Sequence, residues 1–218
     1  MLLYNTQFLY LLLQPFFQAI YWWVNEVCLF AVIIFLCVYI RSLLIKLETQ
    51  RVLNYFATSL YGMNTVEDVF WDIAINCISK LQLRDCIIYL YDDERKVLVQ
   101  VAAYGNKNPV KREILSPIEI PLGKGIVGTV AITGKAEVIK DTSKDSRYII
   151  DDERRFSEIT VPVFLDNKVF GIIDSEHSRK NYFKQKHLHL LSEIALICSE
   201  KISKYLLEEK LRSNIARD

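Results

Sequence analysis

Charge is nearly absent from the start of this chain: residues 1–40 hold one charged side chain, Glu26, while all 27 Lys and Arg fall from Arg41 onward. The two parts are composed for different solvents. An excess of basic charge is missing as well, the formal net charge being +1, and without a clustered basic face there is no electrostatic footprint for nucleic acid. The five cysteines (Cys28, Cys37, Cys77, Cys86, Cys198) form neither a CxxC pair nor a metal-ligand spacing, which leaves them as small buried hydrophobes of a reducing compartment. Three histidines are too few for a cluster. His187 and His189, two apart on a helical stretch, face different ways and cannot share a metal. Neither a metal nor a cofactor is expected.

What the first part does contain is the run IYWWVNEVCLFAVIIFLCVYI, Ile20 to Ile40. A helix of this length, at about 1.5 Å per residue, crosses the ~30 Å hydrocarbon core of a bilayer. Tyr21, Trp22 and Trp23 at one end and Tyr39 at the other match interfacial aromatic belts. A signal peptide carries its positive charge before the apolar run, whereas here Arg41, Lys46 and Arg51 follow it. The segment therefore reads as a retained single span of an inner or plasma membrane, with lipid as its surroundings, the N-terminus outside and the body cytoplasmic. A buried helix of a soluble domain is the alternative. Pro15 is expected to break any continuous helix, leaving residues 1–19 as a short extracytoplasmic or interfacial segment.

Residues 41–63 have apolar positions at helical spacing and read as a juxtamembrane helix stopped by Gly62. NTVEDVFWDIAINCISKL restarts a helix with Asn64 or Thr65 as N-cap and Glu67 and Asp68 in its first turn. CIIYLYDD and KVLVQVAAYG, joined by a polar turn, read as a hairpin, and so does EITVPVFLDNKVFGIIDSEHS with Asp166 and Asn167 at its turn. Between the hairpins lie a short strand, a glycine-punctuated turn into a small helix, and another strand. A long helix closes the chain. The order implies an α+β fold with a mostly antiparallel sheet flanked by helices.

GKGIVGTVAITGKAEVIKDTSKDSRYI, followed by EITVPVFLDNKVFGIIDSEHS and the closing helix, resembles the GAF domain, a small-molecule and signal-transmission module. The resemblance covers roughly residues 52–205, with the domain proper at 64–205. Gly123, Gly125 and Gly128 suit a tight turn and close helix packing, and no Lys-Ser/Thr pair follows to make a phosphate loop. Family members of the free methionine sulfoxide reductase type need a nucleophilic thiol near this turn, where the chain has Ile126, Val127 and Gly128. The Asn-Lys and Asp-Glu pairs of cyclic-nucleotide-binding members are replaced by Ser175 and Glu176 and by His187 and Leu188, around Phe183. No cysteine between Cys86 and Cys198 is available for a bilin. If a small molecule binds, its polar partners are Tyr89, Tyr91, Tyr148, Thr160, Asp174 and Glu176. These side chains would otherwise be paired core and turn residues.

The closing helix keeps apolar residues at Leu191, Ile194, Cys198, Ile202 and Tyr205 and continues to Leu211 and Ile215, a stripe suited to a second copy. A homodimer through the juxtamembrane and C-terminal helices follows as an expectation. EEKLRSNIARD resembles the entry to the dimerisation helix of sensor histidine kinases, so residues 206–218 read as the start of an output helix. The phosphoacceptor and the ATP-binding domain are absent. The resemblance thus implies a membrane-anchored, non-catalytic module, the N-terminal part of a two-component sensor kinase, with no catalytic residues. The alternative is a small-molecule redox enzyme of the free methionine sulfoxide reductase type, with Cys86 as the one thiol near a pocket edge.

Overall fold

The computed structural model describes residues 2–105, 112–114, 116–150 and 153–215, with side chains from 13 to 214. The chain divides into two units, Met1–Gln50 and Arg51–Asp218.

The first unit is helical throughout its described length, as part of α1 (Leu2–Ser59), which runs through Pro15 without interruption. The expected break is not there. Proline deletes one N–H and crowds one carbonyl, a cost of about 3 kcal/mol in a helix interior, and the hydrogen bonds of the remaining residues of this long helix stay in place. The apolar stretch has a mean hydropathy of 2.6 over its best window and is not buried. By length and composition this one helix, near the N-terminus, is able to cross a membrane.

In the second unit, the end of α1 supplies Phe56, and Leu60 follows in a 3-10 turn; both are in the core. α2 (Val66–Leu81) begins at Thr65, whose hydroxyl oxygen accepts the N–H of Asp68 at 3.0 Å. That settles the cap on Thr65 rather than Asn64. Six strands follow: β1 (Asp85–Asp92), β2 (Val97–Gly105), β3 (Glu119–Pro121), β4 (Glu137–Ile139), β5 (Ser157–Leu165) and β6 (Lys168–His177). They form one sheet in the order β3-β2-β1-β6-β5-β4, and every pairing is antiparallel. The β5–β6 turn places Asp166 and Asn167 at φ 49° and 62°, which short polar side chains tolerate and which suits the twist of a two-residue hairpin.

The sheet is covered on both faces. Cys86, Ile88, Ile159, Val161 and Ile173 share a core with α2 and with Leu191, Ile194, Cys198 and Ile202 of α4 (Gln185–Ile215). The stripe expected to meet a second copy therefore faces the chain's own core as far as Ile202. Leu207 and Leu211 beyond it are exposed. The Ile-Ala-Arg-Asp run at residues 215–218, which carries the output-helix expectation, lies outside the described side chains.

On the opposite face, Ile87, Tyr89, Leu98 and Ile172 pack against Val127 and Val130 of α3 (Gly125–Thr133). A Cβ on Gly128 would lie 2.7 Å from the Pro121 carbonyl oxygen, so only glycine lets α3 approach β3 this closely. The consequence is a narrow space between α3 and the sheet.

Candidate functional site

That space is a cavity of about 240 Å³. Its walls are apolar: Ile118, Ile120 and Pro121 from β3 and the segment before it, Ile126 and Val127 from α3, and Ile149 from the connection between β4 and β5. Tyr89 of β1 closes one side. The floor is acidic, made by Glu158 of β5 and by Asp174 and Glu176 of β6.

Strand parity explains the floor. Alternate residues of β5 and β6 enter the core under α2 and α4 (Ile159 and Val161; Ile173), so Glu158, Thr160, Asp174 and Glu176 point to the α3 face. The antiparallel register sets Glu158 directly opposite Glu176 and Thr160 directly opposite Asp174. The Thr160 hydroxyl donates to Asp174 at 2.7 Å and lies 3.3 Å from the Glu158 carboxyl. Two glutamates facing one another in a buried site repel, and one of them holds its proton. Burial first, then the charges of Asp174 and Glu176, push Glu158 well above the usual carboxylate range.

This makes a testable sign. Folded Glu158 keeps a proton that an unfolded glutamate loses near pH ~4.3, so stability drains away as pH rises from there through the raised folded value. Glu158→Gln holds the neutral shape at all pH values. Between about pH 5 and 8, the wild-type chain should lose on the order of 1 kcal/mol more stability than the variant, read from urea midpoints. Equal losses would place the proton elsewhere.

Among the residues expected to meet a ligand, Tyr89, Asp174 and Glu176 line the cavity. Thr160 lies beneath it as a hydrogen-bond donor. Tyr148 does not line the cavity; its hydroxyl oxygen accepts the Arg155 N–H at 3.0 Å, and burial first holds the phenol well above its usual range. Tyr91 lies further along β1, where the Lys96 ammonium sits 5.8 Å from its ring centre, and it does not line the cavity. Glu158 is a site residue that the sequence reading misses. Its signal is present, since it lies two residues before Thr160 on the same strand and so on the same face.

Under the start of β1, Asp85 is fully buried. It accepts the Glu176 N–H at 2.7 Å and faces Arg155 at 3.9 Å. Among the described residues no group of three His, Cys, Asp or Glu has the geometry to hold a metal ion.

Cys77, Cys86 and Cys198 are fully buried in the core under α2 and α4, on the other face of the sheet. The hydrogen bond with Cys77, and then burial, push the Cys86 thiol well up, and burial raises Cys198. Cys86 is therefore not at a pocket edge, contrary to expectation, because residue 86 has the parity of Ile88 and not of Ile87. Phe183, the residue shared with the cyclic-nucleotide pattern, is a fully buried core side chain.

Known proteins share parts of this chain and its fold. The chain is 33% identical over 78 residues to Protein YtsP of Bacillus subtilis, a match covering 36% of this chain and 48% of that one. Against free methionine-R-sulfoxide reductase of Escherichia coli it is 28% identical over 86 residues, 39% of this chain and 46% of the other. Against the enzyme of that name from Saccharomyces cerevisiae it is 39% identical over 56 residues, 25% and 31% of the two chains. The matches thus span less than half the length of these relatives. In fold it is similar to the substrate complex of free methionine-R-sulfoxide reductase from Neisseria meningitidis, with a TM-score of 0.66 at 20% identity over 74% of this chain and 91% of that one.

The reductase relatives overturn two expectations, that the chain is a non-catalytic sensor-kinase portion and that it is not an enzyme, and favour the sulfoxide reductase alternative. A short run near the C-terminus carries the kinase reading, whereas these matches extend over 56 and 86 residues of named enzymes. The model of the GAF domain matches residues 64–202, which is most of the chain and all of the sheet, so the chain belongs to the GAF domain family.

Proposed function

We propose that this chain is a GAF protein of the free methionine-R-sulfoxide reductase type, whose cavity takes a free amino acid bearing a sulfoxide. The observation that carries the reading is the acidic floor under apolar walls. An ammonium group is complementary to ionised carboxylates in a water-poor site. A short aliphatic side chain suits the isoleucine and valine walls. Protonated Glu158 is a hydrogen-bond donor for a sulfoxide oxygen.

Reduction of a sulfoxide consumes two thiols: one sulfur attacks the sulfoxide sulfur, the oxygen leaves as water after taking up two protons, and the second thiol completes a disulfide while the thioether is released. Among the described residues no cysteine lines the cavity, and the three of the second unit are buried on the other face. The two thiols therefore come from an external dithiol. The test is to give the 218-residue chain L-methionine-R-sulfoxide with and without dithiothreitol, reading binding by calorimetry and product as free methionine. Binding with dithiol-dependent methionine formation is expected. Absence of binding defeats the reading, and binding without turnover reduces it to ligand capture.

Membrane attachment is proposed on separate grounds. The apolar helix is long enough to cross a bilayer, and Arg41, Lys46 and Arg51 follow it with no positive side chain before it. That charge bias puts the N-terminus outside and the GAF domain in the cytoplasm. Self-association through residues 41–63, and through α4 where Leu207 and Leu211 are exposed, belongs to the same proposal.

A further inference from the structure

The cations of the second unit are not spread evenly. Ser178 to Ser192 hold Arg179, Lys180, Lys184 and Lys186 and no acid. The fold sets this connection between β6 and α4 against the connection between α2 and β1, where Arg84 stands. Tyr182 makes the join. Its hydroxyl donates to the Gln82 carbonyl at 3.1 Å, and its ring stacks on His177 at 3.6 Å and on His187 at 5.7 Å between centres. The Arg179 guanidinium lies 5.3 Å from the centre of the same ring. Lys80, in the last turn of α2, belongs to this end as well.

Lys80, Arg84, Arg179, Lys184 and Lys186 are all exposed, and none of the five makes an ion pair among the described residues. Lys180 is occupied by Asp141 at 2.9 Å. Asp85, next to Arg84, is buried and turned toward the Glu176 N–H and Arg155. The two histidines feel the same positive field: burial, then Arg179 and Arg84, lower His177, and burial, then Lys186 and Lys184, lower His187. A net charge of +1 conceals this face, because Gln82 and Tyr182 at its centre are 100 residues apart in the chain.

We propose that this end of the second unit is a docking surface for an anionic bilayer, whose lipid phosphates are met by Lys80, Arg84, Arg179, Lys184 and Lys186. The inference rests on the membrane attachment proposed above and deepens it by naming the part of the GAF domain that meets the lipid.

The point at which the chain enters the domain selects this partner over other anions. Ser59 donates to Asp72 at 2.7 Å, Tyr55 donates to Asn76 at 2.9 Å, and the Lys80 ammonium is 4.2 Å from the Tyr55 ring centre. The end of α1 therefore runs antiparallel to α2, which brings Arg51, the first residue of the unit, to the C-terminal end of α2 and so to the basic end. Lys201 of α4 donates to the Tyr61 carbonyl at 3.3 Å and marks the opposite end. The 16 residues of α2 separate the two ends by about 24 Å. Only residues 41–50 lie between Arg51 and the last residue of the apolar run, Ile40. With that run in a bilayer, the headgroups are tethered to the basic end and not to the other. The attraction of an anionic leaflet fades within about one Debye length, ~8 Å at physiological salt, and long Lys and Arg side chains extend the reach. Each cation brought to such a surface strengthens attachment about 5-fold.

The test places the 218-residue chain in nanodiscs of phosphatidylcholine, with or without phosphatidylglycerol, and follows acylation of each lysine by an amine-reactive ester, read by mass spectrometry. A surface at about −30 mV concentrates protons ~3-fold, so Lys80, Lys184 and Lys186 should react at least about 3-fold more slowly in the anionic discs. Lys201 and Lys204 should not change. Salt at about 1 M, which shortens screening to ~3 Å, should abolish the difference. Lys184→Glu combined with Lys186→Glu should abolish it at Lys80, whereas Lys201→Glu combined with Lys204→Glu should leave it. Equal rates in the two discs, or equal slowing at both ends, overturns the inference. Should the chain fail to enter phosphatidylcholine discs, the membrane-span reading fails by itself, and the same lysines are read with phosphatidylcholine/phosphatidylglycerol vesicles added to the chain. Protection confined to the basic end then keeps the docking surface, and no protection defeats it. Protection by polyphosphate and by neither lipid preparation overturns it in favour of a soluble anionic partner.

Discussion

Asp85→Ala should cost the second unit about 3 kcal/mol or more of stability, the range found when one partner of a buried ion pair is removed. Asp85 is fully buried, and the Arg155 opposite it is 4% exposed. Its carboxylate does three things at once. One oxygen accepts the Glu176 N–H at 2.7 Å and lies 3.3 Å from the Ser175 hydroxyl, while the other faces the Arg155 guanidinium at 3.9 Å. Alanine would leave a buried N–H without its acceptor and a buried cation with less of its compensation. Arg155 keeps Glu153 at 2.7 Å, which is why the loss is placed at the lower end. Asp85→Asn retains the acceptor for the N–H and should lose less. The measurement is the urea midpoint at constant slope. A loss below about 1 kcal/mol would mean that the buried pair is replaced without strain, as happens when its desolvation cost cancels its attraction.

Glu176→Gln should move stability and binding in opposite directions. Binding of methionine sulfoxide should weaken by about 30-fold or more, the scale for losing a buried charge partner. The unliganded chain should become more stable by up to about 1 kcal/mol, because the substitution removes a buried carboxylate set beside Asp174 and opposite Glu158, whose ionisation it opposes. The amide has nearly the shape of the carboxylate, so the local packing is kept. Calorimetry and urea unfolding on the same preparation read the two quantities. Parallel losses in both would indicate a structural role, and an affinity change under about 3-fold would remove Glu176 from the ammonium site. Sites of this kind characteristically hold stability in reserve for the ligand.

Much of the fold could be read from local chemistry. Thr65 as cap, the Asp166–Asn167 turn, the two hairpins and the closing helix all rest on contacts within a few residues of one another, which neighbours along the chain specify. The exception among local readings was Pro15. Its single missing hydrogen bond is a small cost beside the backbone groups that the surrounding apolar helix satisfies.

The site was legible by residue type and not by arrangement. Asp174 and Glu176 could be selected as unexplained acids on a strand, but their meeting with Glu158 depends on the β5–β6 register. Face is equally non-local. The ladder between β1 and β2 shifts register between Ile88 and Tyr89, and a one-residue difference in parity separates Cys86, in the core under α2 and α4, from Ile87 on the cavity face.

The amino-acid sequence alone therefore determined the elements, the membrane-length apolar helix, the α+β class and the absence of a thiol from the glycine turn, because each follows from composition and short-range spacing. Only the tertiary structure decided that Glu158 stands opposite Glu176 and that the buried cysteines lie across the sheet from the cavity. Those are consequences of strand pairing between segments well separated along the chain, where no local preference fixes which side chains meet. The chemistry of the pocket belongs to that second set.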